Sequence, residues 1–98
     1  MMNDRDYVVM LYDYYSELFN EKQKEYFEQY YFDNLSLAEI SENLGVSRNA
    51  IHKSIQSMEE KLKFYEDKLR LFYKSNVIRD IMNDIGDNSI RDRLEKLI

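Results

Sequence analysis

The chain has 98 residues, of which 44% are hydrophobic and 34% are charged, and its net charge is −5. A chain of this length forms one domain, and this balance is typical of a globular protein rather than a disordered one. It contains no cysteine and one histidine, His52, which excludes disulfides and a cysteine nucleophile and argues against a zinc site or a catalytic triad. We therefore expect a protein that is not an enzyme and needs no metal or cofactor.

The longest uncharged stretch, residues 7–12, is far shorter than the ~20 apolar residues that a membrane span requires. The chain opens with Asn3, Asp4, Arg5 and Asp6, whereas a signal peptide has a basic start. We therefore expect no membrane insertion and a location in the cytoplasm.

The first two predicted elements are amphipathic helices. Apolar residues at spacings of three and four predict a helix from Asp4 to Phe19. Asn20, with Gln23 three residues on, forms a capping-box pattern for a second helix that runs to about Phe32. The aromatic residues of the second helix are expected to fill the core: Tyr26, Phe27, Tyr30 and Tyr31.

The next segment has the spacing of a helix-turn-helix, predicted for residues 36–57. Ser36 and Glu39 form a second capping box, Gly45 suits the left-handed backbone that ends a helix, and Ser47 caps the helix that follows. The backbone amides at the start of the first motif helix could hold a phosphate. The alternative to a binding motif is a pair of helices that are joined by a tight turn only for packing.

From Arg48 onward no helix breaker occurs until about Ser75 and Asn76, so the second motif helix is predicted to extend for about 27 residues, or ~40 Å. Its apolar residues follow heptad spacing, which predicts a seam that a small domain would not cover alone. We expect a homodimer to cover this seam. Its residues are Ile51, Ile55, Met58, Leu62, Tyr65, Leu69 and Phe72.

Two short helices are predicted to follow, one over residues 77–86 and one capped by Asn88 or Ser89. The fold class is therefore all-α, with a long C-terminal extension of the second motif helix and two short final helices. We expect one domain over residues 1–98, with N-terminal helices at 4–35, the motif at 36–57 and the remaining helices at 58–98.

Charge is distributed unevenly along the chain. Residues 1–46 contain three basic and ten acidic side chains, whereas residues 47–79 contain eight basic and four acidic ones. This asymmetry fits a small basic surface on an acidic body, and an ordinary solvated helix face fits it as well.

The second motif helix carries polar side chains outside its apolar stripe. Arginine suits the guanine edge in a DNA major groove, asparagine and glutamine suit adenine, and lysine binds phosphate or guanine. Each of these side chains could equally be a solvated surface residue. The candidate DNA-binding residues are Ser47, Arg48, Asn49, His52, Lys53 and Gln56.

Several segments resemble known bacterial proteins. Glu21–Glu25, Leu35–Ile40 and Gly45–Ile51 look like region 4 of bacterial sigma factors. Together with Tyr65–Leu69 and the aromatic-rich Leu11–Tyr15, they make the chain similar to the YlxM family over most of its length. That resemblance implies a helix-turn-helix protein that binds double-stranded DNA and is encoded beside signal recognition particle genes. It implies a regulatory or accessory role in that pathway and components of that particle as partners.

A different function remains open for the same scaffold. A protein-interaction module could bind the targeting machinery or a polymerase subunit without contacting DNA. An aromatic side chain such as Tyr30, Tyr31 or Phe64 would then anchor the partner, as buried anchors do at protein interfaces.

Overall fold

The computed structural model describes residues 2–98, and all the regular secondary structure in this part of the chain is helical, which confirms the all-α fold class. No helix within it is long and apolar enough to cross a bilayer. Six α-helices and one 3₁₀ turn follow in chain order: α1 (Asp4–Tyr15), the 3₁₀ turn (Ser16–Leu18), α2 (Glu21–Tyr31), α3 (Leu37–Leu44), α4 (Arg48–Leu69), α5 (Leu71–Met82) and α6 (Asn88–Glu95).

The predicted capping boxes form at both α2 and α3. At α2, the Asn20 side chain accepts a hydrogen bond from the backbone N–H of Gln23 at 2.8 Å, and the Gln23 side chain accepts one from the backbone of Asn20 at 3.0 Å. Ser36 and Glu39 make the same reciprocal pair at α3. Local sequence alone therefore determines where these two helices begin.

The turn of the motif also forms as predicted. Gly45 ends α3 with φ 66° and ψ 30°, the left-handed conformation that glycine adopts without a Cβ clash. Ser47 then caps α4 by accepting a hydrogen bond from the backbone N–H of Ala50 at 3.1 Å.

One core cluster joins α1, α2 and the second half of α4. Tyr12 stacks on Phe27 with ring centroids 4.0 Å apart. α1 ends at Tyr15 rather than at the predicted Phe19, because the tighter 3₁₀ turn brings Phe19 into this cluster. Its buried residues are Val8, Leu11, Tyr12, Tyr15, Phe19, Phe27, Met58 and Leu62.

A second core cluster holds the motif itself together. Tyr26 of α2, Ile40 of α3, and Ile51 and Ile55 of α4 are buried in it. Tyr31 packs against both clusters and donates a hydrogen bond from its hydroxyl to Glu59 of α4. Burial and that hydrogen bond raise the pKa of Tyr31, so it remains a protonated donor.

The prediction of one continuous helix past Leu69 is wrong. α4 ends there, and Arg70 adopts φ 56° and ψ 34°, a left-handed conformation that is costly for a residue other than glycine. α5 then begins at Leu71 and passes through Ser75 and Asn76, where the break was expected.

A buried carboxylate accounts for this break. Glu66 is only 6% exposed and accepts hydrogen bonds from the backbone N–H groups of Phe72 at 3.0 Å and Tyr73 at 3.1 Å. The Tyr15 hydroxyl donates to Glu66 at 2.6 Å and accepts from the N–H of Leu71 at 3.1 Å. Glu66 and Tyr15 therefore satisfy the free N–H groups of the first turn of α5, which Arg70 does not cap.

Burial, as the main cause, and the hydrogen bond to Glu66, as the second, raise the pKa of Tyr15 to about 12. Its hydroxyl therefore keeps its proton far above neutral pH. The stabilisation it provides is lost only as the pH rises from the pKa of Tyr15 in the unfolded chain to its higher pKa in the folded protein.

The predicted intermolecular seam is mostly covered within one chain. Ile51, Ile55, Met58 and Leu62 are buried in the two clusters, since α1 and α2 pack along α4. Of the seven seam residues only Leu69, near the end of the heptad pattern, is well exposed. The heptad seam is therefore not a free dimer surface.

The final helices begin elsewhere than predicted. The helix expected over residues 77–86 is the second half of α5, which ends at Met82. α6 is capped by Asp87, whose carboxylate accepts from the backbone N–H groups of Ser89 and Ile90. The predicted caps, Asn88 and Ser89, lie inside the helix, because a carboxylate one residue earlier provides the cap.

We expect Ile51→Ala or Ile55→Ala to lower the free energy of unfolding by roughly 2–5 kcal/mol, because each leaves a cavity between α3 and α4. Urea unfolding followed by circular dichroism measures this. Glu60→Ala, on the exposed side of the same helix, is the control and should change the value by less than about 0.5 kcal/mol. A loss below ~1 kcal/mol for both isoleucine variants would contradict their burial.

We expect Glu66→Ala to cost roughly 2–4 kcal/mol, because it leaves the N–H groups of Phe72 and Tyr73 without an acceptor. Glu66→Gln keeps one carbonyl acceptor and should cost less. Amide hydrogen exchange provides a local readout, with faster exchange expected at Phe72 and Tyr73 in Glu66→Ala. Unchanged protection there would show that the carboxylate does not hold the start of α5.

Candidate nucleic-acid interface

The motif helices α3 and α4 are joined by Gly45, Val46 and Ser47. The buried Ile51 and Ile55 hold one side of α4 against α3 and α2. The other side of the first turns of α4 faces solvent. This is the arrangement in which the second helix of such a motif can enter a DNA major groove.

All six candidate residues lie on the exposed surface. The Ser47 hydroxyl is engaged as the cap of α4. The side chains of the other five make no hydrogen bond or ion pair with any residue among 2–98, so their polar groups are available to a ligand: Arg48, Asn49, His52, Lys53 and Gln56.

Spacing places these side chains along one side of α4. Asn49, Lys53 and Gln56 follow each other at intervals of four and three residues, and Arg48 and His52 form a flanking row one turn apart. The five span about 12 Å of helix axis, a length that fits within the major groove. The set combines cations for guanine or phosphate with amides for adenine.

Local charge also favours an anionic ligand at this end of α4. The first acidic residues after Ser47 are Glu59 and Glu60, and Glu59 accepts the hydrogen bond from Tyr31. Further along, Lys63 is paired with Asp4 at 2.7 Å. Arg48 and Lys53 are therefore the cations of the first turns that remain available.

The N-terminus of α3 is a poorer site for phosphate than the sequence indicated. The Glu39 carboxylate accepts the N–H of Ser36 at 3.0 Å. Hydrogen bonds from the backbone and hydroxyl of Ser36 lower the pKa of Glu39, which keeps it charged. A phosphate would meet this carboxylate at the helix end.

Of the three aromatic residues considered as protein anchors, only Phe64 is well exposed, at 57%. Tyr31 is tied to Glu59, and Tyr30 is half-buried beside it. Lys68 lies 5.6 Å from the centre of the Phe64 ring.

Sequence reasoning missed one positioning residue, Arg5. Its guanidinium donates to the backbone carbonyl of Tyr31 at 3.3 Å and to the side chain of Asn34 at 3.2 Å, and it lies over the Tyr31 ring. Asn34 has φ 58° in the loop between α2 and α3. Arg5 therefore fixes the segment that leads into the motif. No local pattern marks this role, because its partners lie more than 25 residues away.

The capped turn, the small core beneath it and the exposed face of α4 define a helix-turn-helix protein. A family model described as "Putative helix-turn-helix protein, YlxM / p13 like" matches residues 2–98. The chain belongs to this family, UPF0122, which confirms the resemblance noted from the sequence.

Individual relatives agree with this assignment. The UPF0122 protein of Malacoplasma penetrans is 40% identical over 91 residues, with 93% of this chain and 85% of the relative covered. That of Shouchella clausii is 39% identical over 98 residues, covering 89% and 90%. That of Fusobacterium nucleatum is 40% identical over 91 residues, covering 93% and 88%.

Proposed function

We propose that this protein is a non-enzymatic regulatory protein that binds double-stranded DNA with the first turns of α4. The observation that carries the proposal is a set of exposed polar side chains without intramolecular partners, on a helix that the buried Ile51 and Ile55 hold in place. Because bacterial DNA lies in the cytoplasm, we infer that the protein acts there.

Each side chain has a role in this proposal. Arg48 reads the O6 and N7 edge of a guanine, Asn49 and Gln56 read adenine, and Lys53 binds a phosphate or a guanine. His52 and Ser47 make supporting hydrogen bonds. The acidic side chains within residues 1–46 must point away from the phosphates.

Binding to a duplex of random sequence should be weak and strongly dependent on salt. With roughly two to four phosphate contacts per chain, log K should fall with log salt at about −0.9 per contact. Fluorescence anisotropy of a labelled duplex, titrated between about 20 and about 200 mM salt, measures the slope. A slope near zero would contradict a phosphate-contacting interface.

Arg48→Ala should weaken binding to a preferred site by about 1–3 kcal/mol and relax the preference at one base pair, while Lys53→Ala should weaken all sequences alike. Selection of bound duplexes from a random pool, followed by anisotropy, separates the two patterns. Lys61→Ala removes one exposed positive charge two turns further along α4, outside the candidate face, and serves as the matched control. If Lys61→Ala weakens binding as much as Lys53→Ala, attraction is diffuse and the assigned face is wrong.

The pathway and the assembly belong to this proposal too. The family resemblance supports a regulatory or accessory role in the signal recognition particle pathway, with components of that particle as partners. We also infer a homodimer, in which two copies of α4 would contact half-sites one or two helical turns apart.

The exposed ring of Phe64 favours a second candidate function, an interaction module for the targeting machinery or a polymerase subunit. Phe64→Ala should then abolish binding to purified partner protein, while Arg48→Ala should not. The DNA proposal would give way to this interaction function if no duplex binding were measured even at ~20 mM salt while Phe64→Ala abolished binding to the partner protein.

A further inference from the structure

The junction between α4 and α5 is a single residue in a conformation that its own sequence does not favour. Arg70 stands alone between Leu69 and Leu71 and has φ 56°. The left-handed region is unfavourable for a residue that carries a Cβ. Neither proline nor glycine occurs in residues 48–82, so no local feature ends the helix at this point. Contacts with the rest of the chain therefore hold the break.

The hydrogen bonds at this break have a substitute in a continuous helix. In the structure, the Tyr15 hydroxyl and the Glu66 carboxylate accept the backbone N–H groups of residues 71–73. In a continuous helix the same N–H groups bond to the carbonyls of residues 67–69. Straightening at Arg70 thus removes a left-handed residue and leaves these three donors satisfied. It costs the buried Glu66 two of its donors, so this carboxylate favours the bent state.

Beyond the junction, α5 and α6 form a unit that contacts the protein body through α1. Phe72 packs edge-on against Tyr7 and Tyr14, with ring centroids 5.8 and 6.0 Å apart. Arg79 donates to the Tyr14 hydroxyl at 3.3 Å, and α6 packs on α5. Among the residues of these two helices only two, both in α5, are buried. The unit is therefore attached less firmly than the helices that share the two core clusters.

A second copy of the chain offers the same attachment. If Arg70 becomes helical in two copies, each α4 continues into α5 and carries α5 and α6 away from its own α1. The α1 of one copy then accepts the α5 of the other, with Phe72 against Tyr7 and Tyr14 as within one chain. We propose that two copies of this protein form the homodimer by exchanging α5 and α6 about a hinge at Arg70.

The complementarity that this dimer needs is already present in the structure, because the exchanged surfaces are the ones that meet inside one chain. Exchange of an identical element between two copies is a low-cost route to a two-fold dimer, and a short, strained hinge promotes it. The inference rests on the homodimer in the proposed function and is independent of DNA binding, so it is tested without DNA.

Sedimentation equilibrium between about 5 and about 500 μM should show wild-type protein at 12.0 kDa at low concentration, with twice that mass appearing toward the upper end. Dimer formation should be slow, because α5 and α6 must leave α1 before they exchange. Separated monomer and dimer should therefore return to the same mixture only gradually.

Two variants at the hinge should shift this equilibrium in opposite directions. Arg70→Gly favours the bent monomer, because glycine adopts the left-handed conformation freely and weakens a continuous helix, and should raise the dissociation constant at least about tenfold. Glu66→Gln removes the buried charge that favours the bent state and should lower it at least about tenfold. Lys61→Gly makes the same kind of change at an exposed position that is helical in both states and should stay within about threefold of wild type.

A distance measurement separates exchange from any other dimer. The chain has no cysteine, so Lys61→Cys combined with Asp80→Cys places two spin labels at exposed positions on α4 and α5. In a continuous helix these positions lie about 28 Å apart along the axis. Double electron–electron resonance on dimer diluted with unlabelled chains should give this distance, and monomer carrying Arg70→Gly should give a shorter one.

Two sets of results would overturn the proposal. Wild-type protein that remains at 12.0 kDa at every concentration would remove the homodimer as well as the exchange, while the DNA titrations still test the rest of the proposed function. A dimer that Arg70→Gly does not weaken, or that has the label distance of the monomer, would retain the homodimer and reject the exchange.

Discussion

The position of everything after Leu69 depends on one buried carboxylate. Glu66 accepts hydrogen bonds from two backbone N–H groups in the first turn of α5 and from the hydroxyl of Tyr15 in α1. The Glu66 side chain takes the place of the usual capping residue. Its hydrogen bonds to α5 offset the cost of the left-handed backbone at Arg70. A buried carboxylate without these partners would cost several kcal/mol, so the break in the helix and the placement of α1 stabilise each other.

α4 belongs to two cores at once, and this explains how a chain of 98 residues holds a largely exposed helix face in a fixed position. Its first half is held by Ile51 and Ile55 in the motif core, and its second half by Met58 and Leu62 in the N-terminal core. Tyr31 contacts both. The outward face of the first turns therefore belongs to a helix that is fixed along most of its length, which pre-organises its side chains for a ligand.

The parts that could be predicted from sequence are those determined by near neighbours. The caps at Asn20, Ser36 and Ser47 and the glycine at position 45 act within a few residues, so local rules find them. The break at Arg70 has no local signal, because its donors and acceptors come from residues up to 56 apart. Glu66 did carry a hint: it is a charged residue at the helical spacing that continues the apolar stripe.

The candidate interface shows a second limit. Helical periodicity correctly places five polar side chains away from the core, because burial follows the spacing of the apolar residues. Their ligand does not follow from that spacing, since a solvated face and a base-reading face have the same pattern. At the heptad seam the prediction of an intermolecular cover was wrong, because the sequence does not reveal that α1 and α2 of the same chain pack against α4.

Because α1 precedes α4 in the chain, part of the apolar face of α1 stays exposed during synthesis. Val8 and Leu11 leave the ribosome before α4 does, and the α4 residues that share their core cluster, Met58 and Leu62, are made about fifty positions later. Phe27 of α2 is made earlier and stacks on Tyr12, but until α4 is made the cluster around Val8 and Leu11 lacks Met58 and Leu62, and incompletely covered apolar faces invite non-native association. The acidic charge concentrated in residues 1–46 keeps such nascent chains apart by repulsion. The acidic charge that, in the proposed function, has to be kept away from the DNA phosphates therefore also opposes association of the chain while it is being made.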